Sequence, residues 1–156
     1  MRFLLAACLA LSASFTVAAA DEIKIEKLKL VIDFPGTLEI FDTDVMGKQK
    51  LPPTEVRIKT SIDDIGTVHI EQKKAHSTAE DAIKLIKITA SDASNVVVAK
   101  LPEKGWVLTW RYNEDKWRGA KVFKRIKGKW FLMDARPESD AALQTIVAAF
   151  KSVRAG

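Results

Sequence analysis

From Trp106 onward the chain alternates. Trp106, Leu108, Trp110 and Tyr112 share one parity, and Val107, Thr109, Arg111 and Asn113 share the other. A period of two sends successive side chains to opposite faces of an extended strand. A second extended run covers 119–126, and a third covers 130–135, just after Lys127-Gly128. A two-residue step ending in glycine predicts a tight hairpin turn. The polar stretch 113–116 predicts the turn before it. Strands joined this shortly must be antiparallel neighbours, because a parallel crossover needs about a dozen residues or more.

The flanking segments supply more strands and two helices. Residues 23–34 read as one strand with a register irregularity near Lys27, and Pro35-Gly36 ends it. Leu38–Phe41 predicts a short strand, 42–53 a loop, and 56–59 and 67–72 two strands around the Asp63-Asp64…Gly66 turn. Ser77 with Glu80 three residues later predicts a capping box, opening a helix whose apolar stripe is Ala79, Ala82, Ile83 and Ile86. Residues 96–100 predict a strand. After Pro137, Ser139 caps a final amphipathic helix carrying Leu143, Ile146, Val147, Phe150 and Val153. The fold class expected is α+β, with a mainly antiparallel sheet.

The first 20 residues, MRFLLAACLALSASFTVAAA, have the order of a secretory signal peptide: Arg2, an apolar run, then small residues ending in Ala18-Ala19-Ala20. Residues 21–156 are expected to form one mature domain. Removing the leader takes away Arg2 and Cys8, so the charge falls from +5 to +4 and no thiol remains. The expected location is the periplasm or outside the cell. Export makes nucleic acid an improbable partner, and no membrane-spanning segment is expected in the mature chain.

No common catalytic or cofactor motif occurs. G-x-S-x-G, G-x-G-x-x-G and the phosphate-loop pattern are all absent. His69 and His76 are the two histidines, and they stand in no zinc-ligand spacing. A small metal-dependent hydrolase would need His69, His76, Asp63 and Asp64 to converge in space. No metal, cofactor or catalytic residue is assigned, and the chain is not expected to be an enzyme.

The segment from Trp106 to Trp130 stands out. It holds all four tryptophans and the single tyrosine, and between Arg111 and Lys129 eight bases face only Glu114 and Asp115. Arginine and lysine meet carboxylate or phosphate oxygens, and exposed aromatics anchor interfaces. Trp110, Arg111, Tyr112, Trp117, Arg118, Lys121 and Arg125 are therefore the candidate binding residues. Core tryptophans with solvated bases on the other face would give the same pattern.

The stretches NVVVAKLPEKGWVLTWRY and GAKVFKRIKGKWFLMDARPESDAALQTIVAAFKSV, within 95–153, resemble the Mog1/PsbP-like fold, especially its small exported bacterial members. That resemblance implies an α/β/α sandwich around an antiparallel sheet and a binding or accessory role. It implies no particular ligand. The function expected is a non-catalytic periplasmic binding or accessory protein, meeting an acidic protein, an envelope ligand or a small anion. The metal-dependent hydrolase is the alternative.

Overall fold

The computed structural model describes residues 19–156. All but Ala19 and Ala20 of the expected leader lies outside the described residues.

The described residues open with a hairpin of β1 (Asp21–Ile25) and β2 (Leu30–Phe34), with Ile25 opposite Leu30. This corrects the single strand expected over 23–34. Residues 26–28 form a 3-10 turn, and Lys29 takes a left-handed φ of 55° to reverse the chain. Leu28 is buried within that turn. The apolar pattern therefore runs on through the reversal, and the turn looks like a register slip in the sequence.

The remaining elements are β3 (Leu38–Phe41), β4 (Glu55–Thr60), β5 (Thr67–Lys73), α1 (Ala79–Thr89), β6 (Ser94–Lys100), β7 (Trp106–Tyr112), β8 (Trp117–Ile126), β9 (Lys129–Ala135), α2 (Asp140–Ser152) and β10 (Arg154–Ala155). Among the described residues, seven strands form one sheet in the order β3-β4-β5-β9-β8-β7-β6, and every neighbouring pair is antiparallel. The expected meander is its β6–β9 half. Lys127 and Gly128 make the β8–β9 turn with φ of 45° and 78°. Two successive positive φ values match the twist of the flanking strands, and glycine adopts one of them without a Cβ penalty.

Strand parity assigns each side chain to a face. Val107, Val122, Met133, Ile70 and Ile58 point to one face, where Ile146, Ala149 and Phe150 of α2 and Leu30, Ile32 and Phe34 of β2 cover them. Burying each large side chain of this core stabilises the fold by roughly 1.5–3 kcal/mol. β10 follows α2 directly and pairs with β2, so the small sheet β1-β2-β10 shares this layer with the helix. Lys124 Nζ donates to the carbonyls of Lys151 and Val153 at 2.8 and 2.7 Å. It thereby satisfies carbonyls that the end of α2 leaves free.

Trp106, Leu108, Trp110 and Phe123 point to the opposite face and pack against Ala79, Ala82 and Ile86 of α1. The molecule is thus α+β, with a helix on each side of a mainly antiparallel sheet. The cap of α1 is one residue later than expected. Thr78 Oγ1, not Ser77, accepts from the Asp81 amide at 3.1 Å and donates to Asp81 Oδ2 at 2.8 Å. Ser77 instead contributes its carbonyl, which accepts from Trp106 Nε1 at 2.8 Å and ties the helix entrance to β7. Ser139 caps α2 as expected, accepting from the Ala142 amide at 3.1 Å.

Candidate functional site

The sheet register divides the seven candidate residues between two faces. Arg111 and Arg118 are cross-strand partners on the α2 side. Tyr112 opposite Trp117, Trp110 opposite Gly119, and Lys121 opposite Leu108 lie on the α1 side, and so does Arg125 opposite Trp130.

The two arginines already hold a carboxylate, and it belongs to the chain itself. Arg111 Nη2 donates to both oxygens of Asp140 at 2.8 and 3.0 Å, and Arg118 Nε donates to Oδ1 at 2.8 Å. Arg118 Nη1 also donates to the Glu138 carbonyl at 2.8 Å. The Arg118 side chain is 14% exposed. Asp140 is the first residue of α2, so its charge also favours the helix N-terminus. Arg118 beside it, with Arg111 adding to the effect, holds its carboxyl below the usual carboxylate range. These arginines fasten α2 to the β7–β8 hairpin.

Trp110 is 7% exposed and belongs to the core under α1, as does Trp106. The expected contact role of Trp110 therefore gives way to a packing one. Tyr112, Trp117 and Lys121 are half-buried, and Arg125 is exposed. Lys116 Nζ sits 5.6 Å from the Trp117 ring centre, and Arg125 Cζ sits 5.7 Å from that of Trp130. Each is within cation–π range. Trp130 stacks on Phe123 with centroids 4.9 Å apart, and Phe123 stacks on Trp106 at 5.4 Å. An aromatic row therefore runs from the core under α1 out to Arg125.

A second feature of this face was not legible in the sequence. The pairings Phe41–Arg57, Arg57–His69, His69–Asp134 and Asp134–Lys121 form one continuous row across β3, β4, β5, β9 and β8. His69 Nε2 stands 3.3 Å from Glu55 Oε2, and Nδ1 stands 3.7 Å from Asp134 Oδ2. Asp134 is also 3.6 Å from Lys121 Nζ. Asp134, with Glu55 adding to it, holds the His69 pKa above its ordinary value against the opposing effect of burial. Burial works to raise the Asp134 carboxyl, but the neighbouring His69 imidazole and the charge of Lys121 outweigh it and bring the value below the usual range.

The hydrolase alternative required four side chains to meet, and they do not. His69 is engaged by Glu55 and Asp134. His76 packs edge-on against Trp130 and Phe123, with Nε2 3.2 Å from the Lys104 carbonyl. Asp63 and Asp64 lie in an exposed 3-10 turn, where the Asp64 carbonyl accepts from the Glu138 amide at 2.7 Å. Among the described residues, no three His, Cys, Asp or Glu side chains gather in a metal-holding group. Among the same residues, no helix is long and apolar enough to cross a membrane.

Between α1 and the sheet lies a cleft of about 370 Å³. Its floor includes Trp106, Trp110, Phe123 and Leu132, and its roof includes Leu85 and Ile86 of α1. Lys121 and Asp134 from the charged row also line it.

The architecture has a known counterpart. The chain is similar to the solution structure of cyanobacterial PsbP (CyanoP) from Synechocystis sp. PCC 6803, with a TM-score of 0.57 and 14% identity over 95% of this chain and 99% of that one. At that identity the likeness establishes a PsbP-like fold. No protein-family model and no curated protein matches the sequence.

Proposed function

We propose that this chain is a non-catalytic binding or accessory protein of the bacterial envelope, exported by the leader at 1–20 and working as the mature domain 21–156. Its partner is an acidic protein, met on the α1-side face of the sheet. The observation that carries this reading is the set of cations seated against half-buried aromatics there: Lys116 over Trp117 and Arg125 over Trp130. Lysine and arginine supply attraction at long range, and the rings supply apolar contact at short range. The PsbP-like fold is compatible with an accessory role but names no partner.

Arg111 and Arg118 are excluded from the docking set because Asp140 occupies them. The test is capture of partners from envelope extract by the native domain and by a Lys116→Gln/Arg125→Gln variant, at low and raised salt. Capture of an acidic protein that weakens with salt and is lost in the variant supports the reading. Equal recovery by both proteins overturns it.

A further inference from the structure

The cleft under α1 is too small to admit a protein surface, and the docking reading does not use it. Its volume of about 370 Å³ lies near the lower end of the roughly 300–1,000 Å³ typical of small-molecule sites. It therefore suits a single alkyl chain or a small ring system. Its chemistry narrows the class further.

The floor is apolar at one end. Trp106, Phe123 and Leu132 follow one another across β7, β8 and β9 in a single register row. Leu85 overhangs the cleft from α1 while remaining 64% exposed. An apolar occupant would remove this leucine from water, which is the favourable term in such binding.

The next register row brings charge. Lys121 and Asp134 are cross-strand partners beside Phe123 and Leu132, and Arg136 continues the same face past the end of β9. Two of the three lining cations have a carboxylate partner: Lys73 pairs with Glu71 at 3.0 Å, and Lys121 pairs with Asp134 at 3.6 Å. Arg136 influences Asp134 through its charge. Among the described residues it forms no ion pair of its own. The cleft thus has an apolar body and a surplus of one positive charge at one end.

We propose that this cleft binds a small amphipathic monoanion of the fatty-carboxylate class, with its hydrocarbon body over Trp106, Phe123 and Leu132 and its carboxylate at Arg136. Arginine favours this geometry because its planar fork can take both oxygens of a carboxylate. Asp134 lines the cleft beside Arg136, and its negative charge is already shared between His69 at 3.7 Å and Lys121 at 3.6 Å. Arg136, the lining cation that forms no ion pair among the described residues, is therefore the one left to take the head group.

Dodecanoate is the probe, with dodecyltrimethylammonium and 1-dodecanol as charge controls at the same chain length. Trp106 and Trp110 line the cleft, so the native protein's tryptophan emission reports occupancy. Dodecanoate is expected to shift the emission saturably below its micellar concentration, and the ammonium probe is not. Arg136→Gln removes one charge-assisted contact and is expected to weaken dodecanoate about tenfold. Leu85→Glu puts a like charge in the roof and is expected to abolish the shift.

Ile88→Glu is the control. Ile88 lies on the same helix at 78% exposure and does not line the cleft. This variant is expected to bind as the native protein does. Absence of a saturable response overturns the proposal. So does equal binding of the cationic or neutral probe, or equal behaviour of the Leu85→Glu and Ile88→Glu variants. Neither Arg136 nor Leu85 belongs to the docking set, so failure here leaves the capture experiment independent.

Discussion

The six-membered ring of Trp110 lies directly against Gly119 across the β7–β8 ladder. A Cβ at position 119 would fall 2.1 Å from both Cε2 and Cζ2 of the indole. The ring can lie this close to the sheet only because position 119 has no side chain, and Trp110 is thereby held under α1. Gly119→Ala is expected to destabilise the fold by about 1–3 kcal/mol, the usual range for overpacking a core. Denaturant unfolding followed by tryptophan emission measures it. A midpoint equal to that of the native protein would show that Trp110 relocates freely.

Asp140 is expected to fasten α2 to the β7–β8 hairpin. Its carboxyl is held below the usual range by Arg118 and then Arg111. For a carboxyl depressed in the folded state, the stabilisation is present above the unfolded pKa and is lost as pH falls through the folded one. Asp140→Asn should therefore lower the unfolding midpoint at neutral pH and narrow the gap to the native protein in acid. Amide exchange should also quicken at Asn113–Lys116, since Arg118 ties this turn to the Glu138 carbonyl. Unchanged exchange there would remove the fastening role.

The contrast between Trp110 and Arg118 shows what local pattern can and cannot convey. Parity placed Trp106, Leu108, Trp110 and Tyr112 on one face, and Lys127-Gly128 marked the hairpin, because both signals act between residues close in sequence. The partner of Arg118 lies across the α2 junction, and nothing local in its strand announces Asp140 as its acceptor. His69 is a sharper case. Its neighbours Glu55 and Asp134 come from β4 and β9, and only the pairing of β5 with both strands brings them together. Without the register, an isolated histidine in a strand gives no sign of two flanking carboxylates.

His69 should make stability depend on pH in the sense opposite to Asp140. Its pKa is raised, principally by Asp134. Its contribution is fully present below the unfolded value near 6.5 and is lost as pH rises through the folded value. Asp134, which is depressed, contributes from above its unfolded pKa and loses that contribution in acid. The pair therefore stabilises most between the unfolded carboxylate range and the unfolded imidazole value. Native and His69→Gln proteins should differ most in urea midpoint within that window and converge in alkaline solution. A constant difference across the range would mean that His69 acts through packing alone.

The one-residue displacement of the α1 cap separates two hydroxyls that the sequence alone makes hard to distinguish. Both Ser77 and Thr78 precede the helix, and each has an acidic residue three positions on: Glu80 for Ser77 and Asp81 for Thr78. Thr78 caps because the Ser77 carbonyl is turned toward the Trp106 indole, which fixes the chain one residue before the helix begins. Thr78→Ala should cost about 1 kcal/mol through the lost cap, while Ser77→Ala keeps both its carbonyl bond and the cap and should stay close to the native midpoint. Chemical denaturation of the two variants side by side decides the matter. An equal loss in both would mean that the capping hydroxyl is shared, and a larger loss in Ser77→Ala would return the cap to position 77.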